Sequence, residues 1–204
     1  MTADDLIESV RDDQQTELSR LGSSKTLYAD TRGEMEPAAV RAAAAAREQA
    51  AHDTFSAWAD DESDTAAAGL FADAAEDAAG RLDGVGADPA DRDFAMHDAL
   101  SDLTDTVERL GGLVGWTLVD EKTKGQLTGF FTGQADPQTA STFRSAGNDV
   151  EALREDAAEL LDETCADGDD WDAAETAAVA VVSAAYDDYF ETLEELGVNP
   201  KPVC

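Results

Sequence analysis

Glu48 and His52 are spaced for chemistry. Four residues apart, they share one face of a helix, and a carboxylate and an imidazole one turn apart can hold a common metal. Glu48 also lies on an apolar stripe, four residues after Ala44, three before Ala51 and seven before Phe55. A carboxylate turned towards a core is costly unless it is paired, protonated or bound to a metal. The residue is therefore the most informative in the chain.

The element that must position it is a helix over 37–60. Pro37 suits a first turn, where its missing N–H would have had no partner, and Val40, Ala44, Ala51, Phe55 and Trp58 recur on one face. Before it, 3–21 reads as helix on Leu6, Ile7, Val10, Leu18 and Leu21, stopped or capped at 22–24, and 25–30, with Leu27 and Tyr28, completes an N-terminal helical segment. The Gly-Ser-Ser-Lys at 22–25 lacks the second glycine of a phosphate loop and reads as a helix stop followed by a new start. After it come a helix over 65–82, a linker at 83–89 and a long helix over 91–119. The Gly111-Gly112 pair there marks a close helix crossing or a kink. Residues 123–134 form a further helix, Asp136-Pro137 breaks it, and a short helix resumes to Phe143. A helix over 149–163 and one over 171–196, capped by Asp170 and ended by Gly197, complete the chain. No strand pattern occurs. The expected fold class is all-α.

A shift of sixty residues lays two regions over one another. Glu48 then meets Glu108, Glu76 meets Asp136, Asp60 meets Asp120, and Leu70-Phe71 meets Phe130-Phe131. On these residues and this helix order, the stretch from about 36 to 143 resembles the ferritin-like superfamily, and within it the rubrerythrin-like proteins of haloarchaeal type. The resemblance implies a four-helix bundle over 37–143 (helices 37–60, 65–82, 91–119 and 123–143) in a single helical domain spanning 1–204. Segment 3–30, helices over 149–196 and a tail at 197–204 would be additions. It also implies two irons held by a Glu from the first helix of each hairpin and a Glu-x-x-His from the second. The metal candidates are therefore Glu48, His52, Glu76, Glu108 and Asp136.

The chain departs from that pattern. Ala79 stands three residues after Glu76, Gly80 three after Asp77, and Thr139 three after Asp136, where histidines belong. His52 and His97 are the two histidines, and no Cys-x-x-Cys pair is present. The expected site is a lost or reduced di-iron centre, without catalytic residues, and no cofactor is expected, with iron or another divalent metal as the alternative. Glu48 and Glu108 keep three readings: ligands of a reduced site, buried acids bonded to Arg, Trp or Tyr, or surface residues. Trp58, Trp116 and Trp171 read as core residues whose N–H groups need partners. Two further functions stand beside the first. One is a helical interaction or regulatory protein, for example a transcription-associated factor acting through protein partners. The other is a di-metal oxidoreductase with unusual ligands. For the regulatory role, Leu27, Tyr28, Tyr186, Tyr189 and Phe190 either form a contact face or seal the bundle.

The chain has 204 residues, 46 of them acidic and 14 basic, for a net charge of −32. Such a charge repels nucleic acid and anionic membranes, so neither is expected as a direct partner; a protein partner or a second copy is. The acids are spread over every segment and lysines are few, which is the surface of a protein adapted to a salt-filled cytoplasm. Met-Thr-Ala-Asp-Asp carries acid where a secretory leader needs positive charge, and no apolar run reaches membrane-spanning length, so a cytoplasmic location is expected. Cys165 and Cys204 are either paired across the tail or left as separate thiols. Crowded acids must be screened to stay folded together. The melting temperature is expected to rise steeply along a potassium chloride series; a midpoint indifferent to salt from low to molar concentration contradicts this.

Overall fold

Nine α-helices, and no strand, make up residues 1–200, the part of the chain that the computed structural model describes. They are α1 (Ala3–Asp13), α2 (Gln15–Leu21), α3 (Lys25–Asp30), α4 (Pro37–Asp61), α5 (Thr65–Val85), α6 (Ala95–Ser101), α7 (Thr106–Gly133), α8 (Pro137–Thr164) and α9 (Gly168–Glu195). The all-α expectation holds. No helix is long and apolar enough to cross a membrane among these residues.

Local chemistry explains most boundaries. Pro37 opens α4, and Asp64 starts α5 by accepting from the amides of Ala66 and Ala67. Gly86, at φ +65°, ends α5 in a left-handed turn that a side chain would resist, so α5 runs past 82 and the linker begins later than its composition suggests. Asp167, not Asp170, caps α9 by accepting from the amides of residues 169 and 170.

The expected helices over 91–119 and 123–143 are not the ones formed. Residues 102–105 interrupt the first, with Asp105 capping a new helix at Val107 N, and α7 then runs unbroken through 119–123. Asp136 and Pro137 begin α8, as its cap and its first residue, and α8 continues through the expected gap between 143 and 149. A proline that would disrupt a helix interior is at home at a helix start. The boundary between a bundle ending at 143 and added helices from 149 therefore falls inside one helix. The near-continuous helix expected at 3–21 is divided at Gln14.

Two antiparallel hairpins result, α4 with α5 and α7 with α8, each closed by a three-residue turn. The first meets the second mainly where α5 packs on α8. Helix α7 is central, packed along α8 on one side and α9 on another, while α6 and the three N-terminal helices lie chiefly on α9, α7 and α8. The approach of α7 to α9 is close because Gly111 and Gly115 face Ala174 and Ala178. A Cβ on Gly111 would overlap the Ala174 backbone, and one on Gly115 would sit 2.5 Å from the Ala178 carbonyl oxygen. Gly112 instead faces the side chains of Leu103, Leu100 and Trp58. Of the glycine pair, Gly111 marks a close crossing, which it shares with Gly115.

Apolar burial falls into two clusters along the bundle. The larger contains Phe55, Trp58, Phe71, Trp116 and Trp171, with Phe55 and Trp116 edge to face at 5.0 Å. The smaller gathers Leu27, Val40, Val85, Leu127, Phe131 and Phe143, the last two rings stacked at 5.5 Å. All three tryptophans are buried, but the indole N–H groups of Trp58 and Trp116 have no hydrogen-bond partner. Tyr189 is buried, its ring stacked at 5.9 Å on that of Tyr186, which lies beneath the Arg20 guanidinium, and Leu27 is buried as well. Tyr28, Tyr186 and Phe190 are half-buried against the larger cluster, and the large hydrophobic side chain left exposed among the described residues is Met1. The glycine seam gives a direct test. Gly111→Ala and Gly115→Ala should each destabilise by roughly 1–3 kcal/mol in denaturant titration, overpacking outweighing the better helix propensity of alanine. Unchanged midpoints would show that α9 sits farther from α7.

Candidate functional site

On each helix of the two hairpins that contributes to it, the boundary between the two apolar clusters is charged. In α4 the smaller cluster holds residues 40, 44 and 45 and the larger holds 46, 51, 55 and 58, with Arg47 and Glu48 just past the point where one gives way to the other. In α7 the larger cluster runs to Val119 and the smaller resumes at Leu127, with Asp120 and Lys124 between. Arg81 of α5 falls between Ala78 and Val85 in the same way. The result is an ionic layer across the interior.

Glu48 lies at its centre and is 1% exposed. Its Oε2 accepts from Arg81 Nε at 2.9 Å, and its Oε1 lies 2.5 Å from the Lys124 ammonium. Lys124 also lies 3.0 and 2.9 Å from the two oxygens of Asp120, one turn before it on α7. A parallel set stands alongside: Arg47 makes a two-pronged bond to Asp30 at 2.7 and 2.9 Å, and Arg92 links Asp30 to Asp188. Arg47 and Arg92 both stack on Phe94.

The electrostatics follow from burial against pairing. Burial alone would raise the Asp120 carboxyl; the charges of Lys124 and then Arg81 outweigh it and hold the group below its usual range. Burial likewise opposes the Arg81 charge, and Glu48 followed by Asp120 reverses that, so Arg81 is held more firmly protonated. His97, whose Nδ1 shares a 2.9 Å bond with the Thr54 hydroxyl, is pushed down to about 3, first by burial and then by the Arg47 charge. It is neutral at ordinary pH.

The five metal candidates are scattered. Glu48 is inward, as its stripe predicts, and both of its oxygens are taken by protein cations. His52 is half-buried with Nδ1 on the Ala75 carbonyl oxygen, 3.1 Å away. Glu76 is exposed, and Glu108 is half-buried in the first turn of α7. Asp136 caps α8 and pairs with Arg41 at 2.7 Å. Among the described residues, no three His, Cys, Asp or Glu side chains gather as a metal would need. The acid that faces Glu48 across Lys124 is Asp120, and Glu108, its counterpart under the sixty-residue shift, lies more than three turns before Asp120 on α7. Cys165 makes no disulfide among the described residues; Cys204, and with it the expected pairing, lies outside them.

Arg81, Lys124 and Asp120 are what the sequence reading missed. One signal was available, because Asp120 and Lys124 are four apart in a run otherwise rich in Leu, Val and Gly. The layer also has an opening. A cleft of about 600 Å³ lies between α5 and α8, with buried Glu48 and Arg81 in its lining, Gly80, Thr142 and Ser145 along its walls, and exposed Glu76, Asp77 and Asp149 at its edge.

Lys124 makes the strongest test of this balance. Lys124→Met leaves Glu48 and Asp120 without their shared cation and should cost roughly 3–5 kcal/mol. Adding Glu48→Gln should recover part of that loss, giving a coupling energy clearly different from zero in a double-mutant cycle. Strict additivity would show that the two side chains do not interact. Comparison of the chain with protein-family models, with curated proteins and with solved structures finds no match.

Proposed function

We propose that the chain is a ferritin-like helical protein of rubrerythrin-like type, working in a salt-rich cytoplasm, whose interior acid site is neutralised by its own side chains and not by iron. The observation that carries this reading is the pairing of Glu48. Arg81 takes one oxygen and Lys124 the other, so the two positions at which a first-helix glutamate would bind metal hold protein cations. Two hairpins joined by a long crossover, with this acid near the middle of the first helix, support the ferritin-like part. With the charge satisfied internally, the role left to the molecule is binding through a rigid helical framework instead of redox chemistry. Tyr189 is buried and Tyr186 is half-buried against it, so a partner would meet the acidic surface or the cleft more than an aromatic face.

Metal analysis tests the reading. Protein purified in molar salt under reducing, iron-replete conditions should carry no stoichiometric iron, and Lys124→Ala should not create a coloured iron-oxo species. A di-iron content in the wild type that disappears in both Glu48→Ala and Glu108→Ala would instead establish an oxidoreductase with an unusual ligand set.

A further inference from the structure

We infer that the ionic layer holds an ordered water molecule between Arg47, His97 and Asp120, and that this water joins its two ion-pair sets into one hydrogen-bonded network. The site goes beyond the proposed function and stands independently of it. All three side chains are buried, and each keeps one polar atom that no protein group satisfies. Arg47 spends Nε and Nη2 on Asp30, which leaves Nη1 as an unpaired donor. Asp120 accepts from Lys124 at Oδ1; its Oδ2 lies 2.9 Å from the same ammonium but takes no hydrogen bond. His97 meets Thr54 through Nδ1, and its Nε2 is unpaired. A buried polar atom left so forfeits its hydration without return, and a bridging water restores it at little cost.

The three groups are near one another without touching. Arg47 lies 4.6 Å over the Phe94 ring, and His97 packs against the same ring at 6.4 Å between centres. Arg47 and Asp120 form no direct ion pair, yet each acts on the other: burial opposes the Arg47 charge, and Asp30 and then Asp120 reverse that. The His97 ring, pushed down first by burial and then by Arg47, is drawn back by Asp120. A donor and an acceptor a short way apart, with an imidazole nitrogen beside them, supply the roughly two to four polar partners that a buried water requires. Neutral imidazole donates or accepts at Nε2 according to its tautomer, and water serves either. Charge also selects water. Within the layer Glu48, Asp120, Asp30 and Asp188 balance Arg47, Arg81, Arg92 and Lys124, so a chloride or a potassium ion would add an unanswered charge. The indole N–H groups of Trp58 and Trp116 are unpaired too, but their rings pack on Phe55 in the larger apolar cluster, and a lone donor holds no water.

Crystals of the full chain grown from molar potassium chloride, and again from rubidium bromide, test the assignment. Both should show a water peak within about 3.2 Å of Arg47 Nη1, His97 Nε2 and Asp120 Oδ2, and the second no anomalous signal there. In solution, the His97 ring protons should give a cross-peak to water of the sign that a long-bound molecule produces. His97→Phe, which removes one partner and changes no charge, should keep its circular dichroism and lose the water peak. A wild-type layer without that peak and cross-peak, or with Arg47 bonded directly to Asp120, overturns the proposal. So does a rubidium or bromide signal at the site, or a water peak unmoved in His97→Phe.

Discussion

A carboxylate held away from water must be answered by positive charge, and the interior of this protein is arranged around that demand at Glu48. Lys124 answers it from α7 and Arg81 from α5, so one acid from the first hairpin ties three helices together. Lys124 brings Asp120 with it, and a second acid–base set, Asp30 with Arg47 and Arg92, extends the layer to the N-terminal helices and to Asp188 on α9. Buried ion pairs gain little net stability over apolar packing, because desolvation consumes most of the attraction. Breaking one is another matter: the abandoned charge retains its desolvation cost without its partner.

The two faces of α7 solve their packing in opposite ways. Towards α9, Gly111 and Gly115 let the backbones meet over Ala174 and Ala178, and dispersion between closely packed atoms contributes to the hold. Towards α4 the backbones stay apart, and long side chains fill the space, with Trp116 against Phe55 and Lys124 against Glu48. The N-terminal segment and α9 are therefore structural parts of the domain, since α9 lies on the helix that supplies Lys124 and Asp120.

Much of this was legible in the sequence, and the failures have physical causes. The inward position of Glu48 followed from the spacing of Val40, Ala44, Ala51, Phe55 and Trp58, because a strongly periodic stripe fixes helical phase. The break expected between 119 and 123 failed because Glu121, Lys122 and Lys124 look like a polar turn until burial of Lys124 by tertiary partners is known. The break expected at Asp136-Pro137 is present, but the helix that resumes there runs on through the expected stop at Phe143, because Gly147, Asn148 and Asp149 read as a loop until the packing of α8 on α7 is known. The partners of Glu48 were hidden for the same reason. They lie 33 and 76 positions along the chain, beyond the reach of local spacing.

Helix α4 carries five consecutive alanines, Ala42 to Ala46, four of them buried. Alanines are sterically alike, so along this stretch a slide of one helical turn would set one methyl group where another had been, with little steric objection. The same slide would carry Glu48 about 5.4 Å from Arg81 and Lys124 and leave three charges stranded. On this view the ionic layer gives a featureless surface its address: it contributes less to how strongly α4 is held than to where it is held.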